Sequence, residues 1–197
     1  MTSLDTRSAR VQLRRAELLD DLVVLVLAEG FATLTLDDLA RRLHCSKSTL
    51  YGIAASKEQL VVAAVKRFFQ RATATVEVRA AETGDHRARI GTYLLAVAEQ
   101  LQPASTRFFT DVAAFPPARE IYERNTRAAA GRLQEMVAAG VAARELRPVD
   151  ASFVGAAVAS VMNAISAGEI AALTGLDDAA AYRELADLVV AGVTPHS

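Results

Sequence analysis

Two helix-start signals lie close together near the front of the chain, and this spacing is the strongest constraint on the fold. Thr35 precedes an apolar periodic segment with Asp38 three residues on, an acidic variant of the capping box. Ser46 opens a second such segment, and only His44 and Cys45 separate the two. Two short helices of about eight residues joined by a tight turn form a helix-turn-helix, whose second helix can lie in the major groove of DNA.

The segments on either side of this pair also favour helices. A first helix is predicted over residues 10–29, with Gly30 just past its end as a left-handed cap. The run Leu22–Leu27 is rich enough in β-branched residues for a strand, but no partner run with period-two alternation is found in the sequence. A strand without a partner would leave its backbone hydrogen bonds unmade, so we interpret the run as helix. A long fourth helix is predicted to start after Ser56.

The rest of the chain predicts helices as well. They are expected near 87–101, 105–112, 117–143, 151–172 and 178–192, separated by prolines and one glycine. With 5 prolines and 10 glycines in 197 residues, turn-rich all-β folds are disfavoured, and 52% hydrophobic residues suffice for a core. The sequence therefore predicts an all-α fold of about nine helices.

One uncharged stretch, Ala151–Gly168, is long enough to be considered as a membrane helix. Its serines, alanines and Asn163 lower its hydropathy, and Asp150 and Glu169 bound it closely, so we interpret it as a helix packed between protein helices. The N-terminus lacks the order of a secretory signal, and a single cysteine can form neither an internal disulfide nor a cysteine-based zinc site. No membrane association and a cytoplasmic location are expected.

Charge is unevenly distributed around the paired short helices. No acidic residue lies between Asp38 and Glu58, whereas four cations do: Arg41, Arg42, Lys47 and Lys57. A basic patch of this kind can face an anion such as the DNA backbone.

The residues of this region match a known family pattern. The segment Gly30–Leu60, GFATLTLDDLARRLHCSKSTLYGIAASKEQL, closely resembles the DNA-binding segment of the tetracycline-repressor (TetR) family of bacterial regulators. The matching positions are Gly30, Phe31, Thr35, Leu39, Ala40, Leu43, Ser46, Thr49, Leu50, Tyr51, Ser56, Lys57, Glu58 and Leu60. The resemblance implies an N-terminal three-helix DNA-binding domain over residues 1–55 and a larger helical ligand-binding and dimerisation domain over 56–197.

The sequence departs from the family pattern at three positions. His44 stands where the family usually has a glycine, and a non-glycine residue in a left-handed conformation costs about 1 to 2 kcal/mol. Ile53 and Ala54 stand where the family usually has an aromatic residue or histidine followed by phenylalanine. These two changes remove a large packing group near the start of the fourth helix.

Groove chemistry assigns roles to the matching residues. Thr35, Tyr51 and Lys57 are expected to contact phosphates, together with backbone N–H groups at helix starts. Base reading is expected from Lys47 on guanine and from Ser48 and the Thr49 methyl group. The predicted DNA-binding set is Thr35, Ser46, Lys47, Ser48, Thr49, Tyr51, Gly52 and Lys57. The arginines of the first helix, Arg7, Arg10, Arg14 and Arg15, are interpreted first as a solvated face, with DNA contact as the alternative.

A reader of this type needs two copies, because a two-fold dimer doubles the contacts at half-sites about 34 Å apart. Small and apolar residues in the last two predicted helices favour an isologous four-helix interface between identical subunits. The predicted interface residues are Val154, Val158, Val161, Ile165, Leu185, Leu188 and Val189. The alternative is that these stripes face only the core of one chain.

The resemblance also implies an inducer pocket in the helical domain, and such pockets are mostly apolar with a few placed polar groups. The candidate pocket residues are Phe69, Tyr93, Phe108, Phe109, Phe115, Tyr122, Met136, Met162 and Asn163. Few charges accompany them, so a small, largely hydrophobic effector is predicted. Taken one at a time, these residues are interpreted first as plain hydrophobic core, and the pocket is what the resemblance adds.

No pattern in the sequence favours an enzyme. His44, His86 and His196 fall in a turn, a loop and a tail, without a metalloprotease, hydrolase, phosphate-loop or dinucleotide motif. No cofactor and no metal are expected. The predicted function is a dimeric repressor released from a palindromic operator by a small molecule; the alternatives are an activator, or a ligand-binding helical bundle whose DNA-binding segment has drifted out of use.

Overall fold

The computed structural model describes residues 3–195, with side chains from residue 12 onward. Within that range every regular element is a helix, which confirms the all-α prediction. The ten helices are α1 (Ser3–Glu29), α2 (Leu36–Arg42), α3 (Lys47–Tyr51), α4 (Lys57–Ala81), α5 (His86–Leu101), α6 (Thr106–Ala114), α7 (Pro116–Ala142), α8 (Ala151–Ser166), α9 (Glu169–Thr174) and α10 (Asp178–Val193).

The helix boundaries differ from the prediction in three places. α1 begins at Ser3, earlier than expected, and the paired helices α2 and α3 span 7 and 5 residues, shorter than the predicted eight. The helix predicted over 151–172 is two helices. The first of these, α8, ends at this point because Gly168 has a φ of +74°, a left-handed conformation that separates α8 from the short α9.

Two compact units make up the chain. The first consists of the residues up to Phe69 together with Ala104–Arg119, and the second of Gln70–Pro103 together with the chain from Glu120 onward. The expected domain boundary near residue 55 lies inside the first unit, so the division into 1–55 and 56–197 remains a functional prediction. No sequence pattern indicates that α6 belongs with α1 to α3.

The first unit has an aliphatic and aromatic core. α1 buries Leu18, Leu22 and Val26, and the front half of α4 buries Leu60. An aromatic cluster of four residues, Phe31, Phe68, Phe108 and Phe109, is fully or almost fully buried, and its rings meet mostly edge to face. This core fixes the helices that carry the predicted DNA-binding residues.

The second unit packs α10 against α5 and α8. Its fully buried side chains include Ile90, Leu94, Leu133, Ile165 and Tyr182. The uncharged helix α8 buries one face only, whereas Phe153 near its start is 73% exposed. Among the described residues, no helix is both long and apolar enough to cross a membrane.

Candidate functional site

The loop that leads from α1 into α2 is fixed by a carboxylate from α6. The Asp111 Oδ2 atom accepts hydrogen bonds from the backbone N–H groups of Phe31, at 2.5 Å, and Ala32, at 2.8 Å. Gly30 has a φ of +73°, and a Cβ there would lie 2.5 Å from the same Oδ2 atom. Glycine is therefore required by conformation and by space. Because Asp111 is buried, its hydrogen bonds compensate for the loss of its hydration.

The cap of α2 is the capping box that the sequence predicted. The Asp38 N–H donates to the Thr35 hydroxyl at 3.1 Å, while the Thr35 N–H and hydroxyl both donate to Asp38 Oδ2. These hydrogen bonds, with Arg41 beside the carboxylate, lower the pKa of Asp38 to about 2. The Thr35 hydroxyl, predicted to contact phosphate, is thus already engaged in the cap.

The turn between α2 and α3 has the left-handed residue that the resemblance implied. His44 has a φ of +48°, and the Cys45 N–H donates to the Ala40 carbonyl at 2.9 Å. Histidine is one of the better-tolerated residues at positive φ. Cys45 is half-buried, and burial raises the pKa of its thiol, in keeping with a packing role.

α3 presents almost all of its side chains to solvent. Leu50, fully buried, holds the helix on the core, while Tyr51 is 51% exposed. The Ser46 hydroxyl caps the helix by accepting from the Thr49 N–H, and it lies 2.7 Å from the Ser48 hydroxyl and 2.8 Å from that of Thr49. Three hydroxyl groups are therefore gathered at the start of an exposed helix, together with the Lys47 side chain.

Each cation of α2 and α3 has an acidic neighbour. Arg41 pairs with Asp38, and Arg42 pairs with Glu29 of α1. Lys47 pairs with Asp37 of α2, with Nζ 2.7 Å from Oδ1. The acid-free interval in the sequence thus does not leave these three cations unpaired, because the fold places acids that precede the interval beside them. Exposed pairs of this kind contribute little to stability, about 0 to 1 kcal/mol.

The start of α4 borders the same surface. Lys57 is half-buried, and its Nζ donates to the Ala32 carbonyl at 3.0 Å. Ser56 caps the helix by accepting from the Gln59 N–H, as the sequence predicted. Ile53 and Ala54, the residues that depart from the family pattern, are both half-buried.

The basic front of α1 also approaches this surface. Arg15 lies close to Gly52 at the end of α3, at 3.5 Å from the position that a Cβ there would occupy. Arg14 pairs with Glu17 on α1 itself. The side chains of Arg7 and Arg10 lie outside the described residues.

The nine candidate pocket residues are divided between the two units. Phe69, Phe108, Phe109 and Phe115 belong to the first unit, where Phe115 packs edge to face against Phe31. The other five belong to the second unit: Tyr93, Tyr122, Met136 and Met162 are buried, whereas Asn163 is exposed. The pocket assignment stays a prediction.

Hydroxyl groups meet inside the second unit, a feature that the sequence did not reveal. The Tyr122 hydroxyl contacts the Ser166 hydroxyl, and Tyr182 lies beside them. Burial raises the pKa of Tyr122 and that of Tyr182. The Tyr182 hydroxyl is fully buried and has no hydrogen-bond partner of acceptable geometry. Three separate helices contribute these residues, so no local pattern could have indicated the cluster.

Six of the seven residues predicted for the dimer interface lie along one groove between α8 and α10. Val154, Val158, Val161, Leu185, Leu188 and Val189 line it, together with Phe153, Ala157 and Val193. Ile165 is buried and is not among the lining residues. Leu188 is 70% exposed and Phe153 73% exposed, so the groove carries large apolar side chains on the surface of one chain.

Two of the three histidines fall within the described residues, and the structure brings neither into a metal-type cluster. His44 is exposed in the turn, and His86 Nδ1 lies 2.8 Å from a carboxylate oxygen of Glu145. No group of three or more metal-ligating side chains occurs in residues 12–195. His196 lies outside the described residues.

Comparison with known proteins agrees with this geometry. Residues 18–64 match the family model described as bacterial regulatory proteins, tetR family. No curated protein sequence matches the chain significantly.

Solved structures share the fold along nearly the whole chain. A transcriptional regulator of Saccharomonospora viridis in complex with choline is 15% identical, with a TM-score of 0.75, covering 94% of this chain and all of its own. A TetR-family regulator of Cytophaga hutchinsonii is 15% identical, with a TM-score of 0.73 and coverages of 95% and 98%. A TetR/AcrR-family regulator of Thermobifida fusca is 22% identical, with a TM-score of 0.66 and coverages of 91% and 97%.

Proposed function

We propose that this chain, whose residues 18–64 match the tetR family of bacterial regulatory proteins, is a DNA-binding transcriptional regulator and acts as a homodimeric repressor of a palindromic operator. A small, largely hydrophobic molecule bound in the helical domain releases it from the DNA. The main support for the proposal is the exposure of α3, in which Leu50 is the buried anchor while the side chains of Lys47, Ser48, Thr49 and Tyr51 lie on the surface, where base edges and phosphates can reach them.

The two-fold symmetry of the proposed complex requires a dimer interface, and the α8/α10 groove is suited to it. Its exposed Leu188 and Phe153 would be removed from water by the same groove of a second copy. Two DNA-binding units would then face half-sites about 34 Å apart, and the operator would mirror the symmetry of the protein.

Release by a ligand requires only a modest coupling between the two sites. A coupling free energy of about 1 to 3 kcal/mol changes operator affinity by about 5- to 150-fold. The buried hydroxyl cluster of Tyr122, Ser166 and Tyr182 offers polar groups within an otherwise apolar unit, as such pockets have. A similar fold has been solved in complex with choline, which supports the proposal that this chain binds a small molecule.

A mobility-shift titration tests the proposal. The full-length protein is titrated onto fragments of the DNA flanking its own gene, at a stated salt concentration, against a random-sequence duplex of equal length. Tighter binding to one flanking fragment is expected. Binding that is equally weak for all fragments would instead favour the ligand-binding bundle with a drifted DNA-binding segment. A reporter gene behind the bound fragment then separates repression from activation.

A further inference from the structure

The ion pair between Lys47 and Asp37 links the two helices of the helix-turn-helix on its exposed surface. Lys47 is the first residue of α3 and Asp37 lies in the first turn of α2, with Nζ and Oδ1 2.7 Å apart. Their side chains are 49% and 70% exposed. The cation proposed to read a base is therefore held by a carboxylate that can itself approach DNA.

The fold of α2 does not require Asp37. The capping box of this helix is made by Thr35 and Asp38, through three hydrogen bonds between them. An acid in the first turn gains only the modest favourable interaction with the helix dipole. A change at Asp37 can therefore be tested on DNA binding with little disturbance of the helix.

The pair is weak enough to be exchanged for a better partner. An exposed lysine–carboxylate pair contributes little free energy, less than the contact of a lysine with the O6 and N7 acceptors of guanine. In a complex with non-operator DNA, Lys47 would exchange the Asp37 carboxylate for a single phosphate oxygen. This exchange gains little binding free energy, because Asp37 already satisfies the ammonium group. The Asp37 carboxylate also repels phosphates, and a repulsive group of this kind discriminates against incorrect partners.

From this geometry we propose that Asp37 is a specificity-determining positioning residue, which holds Lys47 back from DNA until a guanine-bearing site replaces the carboxylate. The inference rests on the proposed function, because it assumes that α3 reads an operator. It predicts that Asp37 lowers non-specific affinity more than operator affinity, and that it does so through Lys47.

The central test compares Asp37→Asn with the wild-type protein, both full-length. Binding is measured on the flanking fragment identified by the mobility shift and on a random-sequence duplex, over a series of salt concentrations. Affinity for the random duplex should rise about two- to fivefold more than affinity for the flanking fragment, the range that an exposed ion pair allows. The slope of log affinity against log salt on the random duplex should steepen by about 1, because Lys47 becomes free to neutralise one further phosphate.

Two control variants separate the effect of position from that of charge. Glu184→Gln removes another exposed acid, from α10 in the second unit, so it reports the effect of net charge and should leave the affinity ratio unchanged. Asp37→Glu keeps a carboxylate able to reach Lys47 and should retain most of the wild-type discrimination. Asp37→Ser is a second neutral variant should Asp37→Asn unfold, and thermal melting verifies each fold.

A double-mutant cycle with Lys47→Gln decides whether Asp37 acts through Lys47. In that background Asp37→Asn should no longer alter the ratio of the two affinities. A persisting change would mean that Asp37 contacts DNA directly, and it would overturn the inference. An unchanged ratio in Asp37→Asn itself would also overturn it, with the proposed function intact. A wild-type protein that prefers no fragment would instead defeat the proposed function, and this inference with it.

Discussion

The carboxylate of Asp111 accepts a hydrogen bond of 2.5 Å from the backbone N–H of Phe31, a residue 80 positions earlier in the chain. The same oxygen accepts from Ala32, and the Ser105 N–H beside α6 donates to the Leu27 carbonyl of α1 at 2.8 Å. α6 is thereby bound to the loop that sets the start of α2. A helix outside the helix-turn-helix thus helps to position it.

Asp111→Ala should destabilise the first unit and weaken operator binding. The change leaves two backbone donors without their partner, and an unsatisfied buried donor costs about 1 to 3 kcal/mol. Urea denaturation followed by circular dichroism measures the loss in the free energy of unfolding. Thr110→Ala, at an exposed position on the same helix, is the control and should change stability by less than about 0.5 kcal/mol. An unchanged free energy of unfolding in Asp111→Ala would show that the loop does not depend on α6.

The local features of this region could be predicted from the sequence, and the distant ones could not. Caps at Thr35 and Ser46 depend on residues within one helical turn, so their signals are local. The contact of Asp111 with Phe31 spans 80 positions and has no local signal. The sequence predicts a helix that continues through Gly168, since an isolated glycine does not by itself end a helix, and only the left-handed backbone of Gly168 reveals the break.

The charge pattern shows the same limit. Four cations lie in an interval of the sequence without acids, but folding sets acids that precede the interval beside three of them, as with Asp37 beside Lys47. Charges counted along the sequence predict a basic surface. The electrostatic potential of the folded surface depends instead on which acids the fold places beside the cations.

Lys57→Ala should weaken binding to all DNA sequences by a similar factor. Lys57 is proposed as a phosphate contact, and losing one such contact reduces the salt slope by about 1 without altering sequence preference. Titrations of the flanking fragment and of a random duplex at several salt concentrations measure both quantities. Lys66→Ala, an exposed lysine further along α4, is the matched control. An unchanged salt slope together with a lower melting temperature would show that Lys57 only stabilises the fold, through its hydrogen bond to the Ala32 carbonyl.

Through Asp38, the capping box should contribute a part of the folding stability that is lost when the pH becomes acidic. The pKa of Asp38 in the folded protein is about 2, below its usual 3.8, because it accepts hydrogen bonds from Thr35. A lowered pKa means that the contribution is present in full above pH 3.8 and is lost as the pH falls towards 2. Unfolding measured by urea between these values should depend less on pH in Asp38→Asn than in the wild-type protein. Thr35→Val should move the pKa of Asp38 back towards 3.8 in a carboxyl NMR titration; a pKa that stays near 2 would contradict the assigned cause.

His44→Gly should stabilise the turn of the helix-turn-helix. The left-handed backbone of His44 costs about 1 to 2 kcal/mol in a non-glycine residue, while glycine adds about 0.5 to 1 kcal/mol of entropy to the unfolded chain. The difference is a net gain of up to about 1.5 kcal/mol in the free energy of unfolding. His44→Ala keeps the backbone cost and removes the exposed ring, so it should show no gain. Equal gains in both variants would assign the effect to the side chain.

Leu188→Arg should convert the proposed dimer into a monomer without unfolding the chain. Leu188 is 70% exposed in the single chain and lines the α8/α10 groove, so a charge there is solvated in the monomer but buried in a symmetric interface, where it meets its own copy. Sedimentation at micromolar concentration should give about twice the chain mass of 21.0 kDa for the wild-type protein and the single mass for the variant. Leu173→Arg is the matched control, since Leu173 on α9 is 82% exposed and does not line the groove. A wild-type protein that sediments as a monomer would remove the basis for a palindromic operator, and a dimer that persists in Leu188→Arg would place the interface elsewhere.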